Sequence, residues 1–326
     1  MIHKYLEPKV VNLAFQVLKS YGKSKIKSLA IFDGISPNYN IKIVTPEGSY
    51  VLRSNTLHLK KERTLFIEQC KRALKKHNFP VIPAVPNING EYVTSLGNNP
   101  WTLTPYSYGT PLSPANPQHI SAAAKLLATL HNLKLNQLDN PVQYSDSFAS
   151  NFCVAEKFYD FINNYSLSPQ KEYFIDVYKI IQALKINLQD LPQAWTHGDF
   201  YSANILFATG KITAVIDFDN IDYRYRVYDL AKSIFMLCRP AYPSFTFDAT
   251  IIKNFLEAYN QEIAMPLTQD ERDIIPMFMF VVEFPEFNFV TLMQDIFAEG
   301  QSVLDYKFQA LQAVARNLKL FQEVCA

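Results

Sequence analysis

The segment Thr196–Asp219, THGDFYSANILFATGKITAVIDFD, decides the fold of this chain. Its first polar side chains are Asp199, in a His-Gly-Asp turn, and Asn204, five residues later. Two short runs of β-branched and aromatic residues follow, separated by Ala-Thr-Gly-Lys, and this pattern predicts a β-hairpin. The second run ends at Asp217, so the hairpin is expected to return Asp217 to the neighbourhood of Asn204.

These side chains suit a phosphoryl-transfer site. Mg²⁺ prefers hard oxygen ligands and usually takes one or two protein groups together with water and phosphate oxygens. The carboxylate of Asp199 is placed to accept a proton from an alcohol, and phosphoryl transfer otherwise depends on positioning and charge neutralisation. Asp and Asn are also common in ordinary turns. The spacing D-x4-N followed by V-I-D-F is much more specific than any single residue, and it favours the functional interpretation.

The combined pattern, H-G-D-x4-N followed by a hydrophobic residue and D-F-D, resembles the aminoglycoside phosphotransferase superfamily. That group includes choline kinases and the protein-kinase-like homoserine kinases. The resemblance extends over roughly residues 25–240 and implies an α+β, protein-kinase-like fold of two lobes. It implies Asp199 as the catalytic base, Asn204 and Asp217 as Mg²⁺ ligands, and His197 as a structural residue of the loop. The implied cofactors are ATP or GTP and Mg²⁺.

The first third of the chain is predicted to form a meander of antiparallel strands, with Arg53 on the third of them. The matching strand in the family usually carries a lysine that binds the α- and β-phosphates. Arginine keeps the charge but binds as a planar fork. A helix is predicted over residues 58–77, and its family counterpart carries an acid that pairs with the strand cation. Glu68 fits this role best and Glu62 is the alternative, while a surface i,i+4 pair explains either acid equally well.

The helices of the second part begin with residues 117–133, where Pro117 suits a first turn. The later segment Tyr228-Asp229-Leu230-Ala231 matches a D-L-A motif of the family at the start of a helix. Asp229 is expected to cap that helix, and in relatives it also braces the catalytic loop. Helical stretches are also expected over roughly 150–165 and 169–188.

Two further sets of charged residues allow more than one interpretation. Arg224 and Arg226 lie where they would meet a substrate carboxylate bidentately or pair with Asp222 at the surface. In the helical last third, three acids are candidates for contacts with a cationic group of the acceptor: Glu283, Glu286 and Asp295.

Composition limits the function further. The chain has 326 residues, 48% hydrophobic and 19% charged, which predicts a soluble globular protein. Residues 1–105 hold 15 Lys or Arg against 6 Asp or Glu, a balance of +9, and this suits a polyanion such as a nucleotide. Few aromatic residues are interleaved with these charges, so nucleic acid is not predicted as a partner. No apolar run approaches the roughly 20 residues of a membrane span.

The expected location is cytoplasmic, because the start resembles no signal peptide and the four cysteines are scattered as free thiols would be. The oligomeric state is left open. Residues 1–105 are predicted to form the nucleotide-binding lobe and residues 106–326 the catalytic and acceptor-binding lobe, with a hinge near residues 104–110.

The predicted activity is transfer of the γ-phosphoryl group of ATP or GTP to a hydroxyl of a small molecule. The extended Val-Leu-Arg strand and the P-V-x-P-x-V-P segment look most like homoserine-kinase-type and amino-alcohol kinases. The acidic last third, with 9 Lys or Arg against 14 Asp or Glu in residues 220–326, would suit a cationic acceptor such as an aminoglycoside. A protein Ser/Thr kinase and a catalytically silent nucleotide-binding scaffold are the alternatives.

Overall fold

The chain divides into two compact units. In the computed structural model the first unit comprises Met1–Thr110, Leu135–Val142 and Thr213–Asp219, and the second comprises Pro111–Lys134, Gln143–Ile212 and Asn220–Ala326. The structure describes residues 8–32, 38–54, 61–97, 99–135, 170–184, 188, 190–240, 244–285, 290, 294–295 and 299–326. The lobe boundary predicted at residue 105, and the role of each lobe, stay predictions.

The first unit is built on a five-stranded antiparallel sheet in the order β1-β2-β3-β5-β4. In chain order its strands are β1 (Ser28–Ile31), β2 (Tyr39–Thr45), β3 (Gly48–Ser54), β4 (Thr94–Leu96) and β5 (Asn99–Pro105). Ile41 and Ile43 of β2 are fully buried, whereas Lys42 between them faces the other side of the sheet. This alternation is what a strand with one covered face requires.

Two helices complete the first unit: α1 (Pro8–Lys19) and α2 (Lys61–Lys76). Ala14, Val17 and Leu18 of α1 share one buried core with residues from β2, β3 and β5. The members on the sheet are Ile41, Ile43, Leu52, Trp101 and Leu103. The apolar face of α2 buries Phe66, Cys70 and Leu74, as the spacing of that helix predicts.

The second unit is mainly helical. Its helices are α3 (Pro117–Asn132), α4 (Gln170–Leu184), α5 (Val227–Leu237), α6 (Ala249–Glu262), α7 (Gln269–Glu283) and α8 (Gly300–Cys325). Helix α3 packs on α6, and α7 packs on both α5 and α8. With the sheet of the first unit, this arrangement confirms the predicted α+β, protein-kinase-like fold class.

The remaining strands are β6 (Thr110–Pro111), β7 (Gln193–Thr196), β8 (Ile205–Ala208), β9 (Lys211–Val215) and β10 (Asp222–Tyr225). Strands β8 and β9 are neighbours in a small sheet, which confirms the predicted hairpin. Its turn is Thr209–Gly210, and both residues have positive φ, 51° and 76°. Positive φ at both central residues is the type I′ geometry that matches the twist of a two-residue hairpin.

Two expectations about helices change with the structure. Helix α5 begins at Val227, so Asp229 lies inside its first turn, and the prediction that Asp229 caps the helix is wrong. The helix expected near residues 150–165 lies outside the described residues, as do Cys153 and Glu286. A search of the described helices finds none long and apolar enough to cross a membrane.

A buried ion pair joins the start of α5 to the start of α7. Arg226 donates two hydrogen bonds to Glu271, each 2.6 Å long, and a third to the carbonyl oxygen of Met265 at 2.8 Å. Glu271 also accepts from the backbone N–H of Thr268, which caps α7 in return. Arg226 is therefore a structural residue that pairs with Glu271 rather than with Asp222, and its predicted contact with a substrate carboxylate has no support.

Replacing Glu271 by alanine is expected to lower the free energy of unfolding by about 3–5 kcal/mol, because the guanidinium of Arg226 stays buried without its counter-charge. Asp270→Ala is the matched control. That acid lies in the same first turn but is exposed, and its loss should cost at most about 1 kcal/mol of helix-dipole stabilisation. Urea denaturation of both variants gives the two values, and equal losses would contradict the assigned role.

Candidate active site

The loop that carries Asp199 begins at the end of β7, where β7 pairs with β10. Thr196, at the end of β7, pairs with Asp222 of β10, and the chain then turns through Gly198 with φ +80°. A Cβ atom at Gly198 would lie 2.6 Å from the carbonyl oxygen of Asn220 and would also meet the Arg224 side chain. Only glycine fits this turn, which explains the Gly of the His-Gly-Asp motif.

Asp229 holds the backbone of the same loop. Its carboxylate oxygens accept from the backbone N–H groups of His197, at 2.6 Å, and Gly198, at 2.7 Å. His131 Nε2 lies 3.3 Å from the same carboxylate, and Tyr259 Oη lies 2.7 Å from His131 Nδ1. Burial raises the pKa of Asp229, but its hydrogen bond with His131 and the charges around it outweigh burial and lower the pKa below its usual value. The bracing role predicted for Asp229 agrees with these contacts.

Asn204 lies against Asp199. Its Nδ2 donates to the backbone oxygen of Asp199 at 2.9 Å and to Oδ2 of the carboxylate at 3.2 Å. Both residues belong to the second unit, and Asn204 ends a single 3₁₀ turn, Ser202–Asn204. Because Nδ2 is engaged with Asp199, the amide oxygen Oδ1 is the atom that remains for a cation.

A charged cluster beside Asp199 was missed in the sequence. Lys232 Nζ lies 4.0 Å from Asp199 Oδ1 and 3.2 Å from Glu283 Oε1. Glu283 is fully buried and binds Lys307 with its other oxygen, at 3.1 Å. Glu283 is thus committed to two lysines, which leaves its predicted contact with a cationic acceptor without support. The only local signal for Lys232 was its position one helical turn after Asp229.

Arg53 lies with Asp217 and Asp219 in the first unit. Its guanidinium donates to Asp217 Oδ1 at 3.0 Å and to Asp219 Oδ2. Arg63 donates to the backbone oxygen of Asp219 at 2.9 Å. Burial raises the pKa of the Asp219 carboxyl to about 6, against the opposing effect of Arg53. Burial lowers the pKa of Arg53, but the two aspartates outweigh it and raise that pKa above its usual value.

Asp217 has a backbone that few residues adopt. Its φ is +64°, a left-handed conformation that Asp tolerates better than most side chains. The strand before it is anchored by the Val215 N–H, which donates to the carbonyl oxygen of Pro80 at 2.6 Å. Non-glycine residues held in this region often belong to functional sites, and this supports the role predicted for Asp217.

Glu68 does not bind Arg53, the partner expected from the sequence, but two other groups. Its oxygens accept from Lys71 Nζ at 2.5 Å and from the backbone N–H of Ala84 at 2.7 Å. Arg53 hydrogen-bonds to the aspartates instead, and Glu68 acts on it only through charge. Glu62, the alternative partner, is exposed. The role of Glu68 in positioning Arg53 stays a prediction without a direct contact to support it.

The oxygen atoms of Asn204 and Asp217 fit a Mg²⁺ ion by their chemistry, since both are hard ligands. Asp217 keeps a second oxygen beside the one that binds Arg53, and its side chain is 41% exposed. Among the residues described, no group of three or more His, Cys, Asp or Glu side chains is arranged to hold a metal. A shared role of Asn204 and Asp217, which belong to different units, therefore stays a prediction.

Asp229→Asn is expected to lower the free energy of unfolding by about 1–3 kcal/mol, because the amide has one acceptor oxygen for the two backbone donors and its NH₂ group faces one of them. Turnover should fall as well, since the loop carrying Asp199 loses its brace. Thermal unfolding and steady-state kinetics on one preparation measure both effects.

The control for that experiment is Asp248→Asn. Asp248 caps α6 by accepting from the Thr250 and Ile251 N–H groups, and its bonds are exposed. Asparagine caps helices about as well as aspartate, so this variant should retain both stability and turnover. An Asp229→Asn protein indistinguishable from it would contradict the bracing role.

Comparison with known proteins identifies the family of this chain. Residues 30–266 match the model of the "Phosphotransferase enzyme family". A homoserine kinase from Methylobacillus flagellatus is 26% identical over 264 residues, which cover 80% of this chain and 78% of that protein.

Solved structures share the fold at low sequence identity. An ethanolamine kinase from Plasmodium vivax matches with a TM-score of 0.66 and 18% identity, covering 96% of this chain and 91% of that one. A spectinomycin phosphotransferase in complex with ADP and spectinomycin matches with a TM-score of 0.65 and 16% identity, covering 95% and 98%. These similarities confirm the resemblance predicted from the H-G-D-x4-N pattern.

Proposed function

The chain belongs to the phosphotransferase enzyme family, and from this premise we propose that it transfers the γ-phosphoryl group of ATP to the hydroxyl of a small molecule, with homoserine as the first acceptor to test. It is a small-molecule kinase. The observation that carries the proposal is Asp199 on a loop whose backbone is bound by a buried carboxylate, with Asn204 held against it. The acceptor itself rests on the names of relatives that align over 80% of the chain.

In this proposal Asp199 orients the acceptor hydroxyl and accepts its proton as the oxygen attacks the phosphorus atom. The side chain is 29% exposed, so it is accessible to a ligand. Asn204 fixes the carboxylate through Nδ2 and presents its oxygen to a cation. Mg²⁺, when bound, neutralises charge on the transferring phosphoryl group.

Arg53 is the residue proposed to bind the nucleotide phosphates. Its fork spans two carboxylates in this structure, Asp217 and Asp219. Phosphate oxygens match the same planar fork, so nucleotide binding is expected to draw Arg53 away from Asp217 and leave that carboxylate to the cation. The guanidinium fork that spans two carboxylates here has the geometry to bind two phosphate oxygens, and this supports Arg53 as a replacement for the usual lysine.

The proposed function is tested by ADP release with ATP and Mg²⁺ in the presence of homoserine, ethanolamine, choline or an aminoglycoside. One of these should stimulate release, and Asp199→Asn should lower the stimulated kcat by about 10²–10⁴-fold, the usual worth of a general base. Nucleotide affinity should change little, because Asp199 acts on the acceptor.

The matched control is Asp176→Asn, an exposed acid on α4 that pairs with Lys179. It should keep full stimulated activity. Stimulation that survives in Asp199→Asn would remove the base assignment, and a large loss of nucleotide binding in that variant would do the same. No stimulation by any small alcohol would count against the proposed acceptor class.

Asp217→Asn is expected to lower metal-dependent turnover by about 10²–10³-fold, because a charge that stabilises the transition state is lost. The affinity for nucleotide should also lose its dependence on Mg²⁺, which a titration of nucleotide binding with and without the metal measures. Full activity with an unchanged Mg²⁺ titration would show that Asp217 is no ligand.

A further inference from the structure

The cluster of Lys232, Glu283 and Lys307 joins three helices of the second unit: α5, α7 and α8. One carboxylate accepts from two ammonium groups, at 3.2 Å from Lys232 and 3.1 Å from Lys307. Burial raises the pKa of Glu283, but the two lysines outweigh it and hold that pKa below its usual value. Glu283 is therefore ionised, and it is the one fully covered carboxylate that both ammonium groups share.

A single lysine would neutralise Glu283 and tie two helices together. The second lysine adds a charge whose further acid is Asp199, 4.0 Å from Lys232, so the two ammonium groups share one structural carboxylate and the proposed catalytic base. Burial and the nearby charge of Lys232 lower the pKa of Lys307 even though Glu283 and Asp199 raise it. For Lys232, Glu283 and Asp199 outweigh the effect of burial and raise the pKa. Of the two ammonium groups, Lys307 is the one whose charge its surroundings compensate less.

The ammonium groups are more accessible than the carboxylate they share. The side chains of Lys232 and Lys307 are 14% and 18% exposed, while that of Glu283 is completely covered. Each ammonium has three N–H donors, and among the described residues each donates one hydrogen bond, to Glu283. Lys232 Nζ also lies 4.0 Å from Asp199 Oδ1. An anion bound by these lysines would therefore lie next to the proposed catalytic base.

We propose that Lys232 and Lys307 form a subsite for a carboxylate of the phosphate acceptor. The acceptor class is then a small hydroxy acid whose hydroxyl lies only a few bonds from its carboxylate, rather than an amino alcohol or an aminoglycoside. The inference rests on the proposed function, since it places the carboxylate of the acceptor beside Asp199 and the hydroxyl of the acceptor within reach of the Asp199 carboxylate. It also gives the second lysine, and the N–H donors that Glu283 leaves over, a purpose that a structural ion pair does not.

The test compares two acceptors that differ by one group: L-homoserine and 3-amino-1-propanol, which is homoserine without its carboxylate. Wild-type protein should prefer homoserine in kcat/KM. Lys307→Met keeps the length of the side chain and leaves the Lys232–Glu283 pair intact. It should lower the ratio of kcat/KM for homoserine over 3-amino-1-propanol by about 10- to 100-fold, as the loss of a charge-assisted hydrogen bond does.

Lys319→Met is the matched control, because it is the same substitution on the same helix at a side chain that is 88% exposed. It should leave the ratio unchanged. Lys307→Arg, which keeps the charge, should recover part of the preference. Thermal unfolding of each variant shows whether the proteins compared are equally folded.

Each result bears on the inference in a defined way. A ratio that falls in Lys307→Met but not in Lys319→Met supports it. If Lys307→Met lowered kcat/KM equally for both acceptors, the inference would be overturned. A loss that follows lower thermal stability would assign the cluster to folding, and a loss in kcat alone would assign it to the transferred phosphoryl group. Transfer to 3-amino-1-propanol or an aminoglycoside as fast as to homoserine would overturn it while the proposed function stands. No transfer to any of these alcohols would overturn both.

Discussion

The carboxylate of Asp229 is the group on which the loop that carries Asp199 depends. It is fully buried, yet it accepts from two consecutive backbone N–H groups and contacts His131, so the energetic cost of burying its charge is offset by hydrogen bonds. Its pKa is lowered, so the stability it provides is complete above the pKa of an unfolded Asp, about 3.9. That stability is lost only as the pH falls through the lower folded value. The position of Asp199 therefore depends on an interaction that persists at neutral pH.

Through His131 the same carboxylate couples the loop to the helical core. His131 lies on α3 and Tyr259 on α6, the two helices that pack together, and their side chains form a chain of polar contacts that ends at Asp229. The loop itself requires glycine at residue 198, because a side chain there would meet Asn220 and Arg224. Packing, loop geometry and the position of the base are thus one connected arrangement.

Local patterns predicted much of this, and the limit of prediction lies in contacts between distant residues. The strands, the hairpin and α3 follow from apolar periodicity and turn residues, and the motif spacing pointed to Asp199 with Asn204. Arg226 has its partner 45 residues away, and Lys232 has its partner 51 residues away. The two acids considered as partners of Arg53 on the family resemblance have other surroundings: Glu68 binds Lys71 and Ala84, and Glu62 is exposed. Burial decides these partners, and burial of a single charged residue leaves no mark in its local sequence.

The hydrogen-bond donors left on the cation distinguish buried ion pairs that stabilise the fold from those suited to a ligand. Arg226 and Glu271 form a pair of equal and opposite charges, and the carbonyl oxygens of Met265 and Pro266 accept from two further N–H groups of the guanidinium. Lys232 and Lys307 each donate one hydrogen bond to Glu283 among the described residues, and Asp199 is the next acid, 4.0 Å from Lys232. A protein that needed only stability would be served as well by an apolar contact at such a position. The second lysine is explained if its free N–H donors bind the carboxylate of the substrate, while Asp199 is engaged with the substrate hydroxyl.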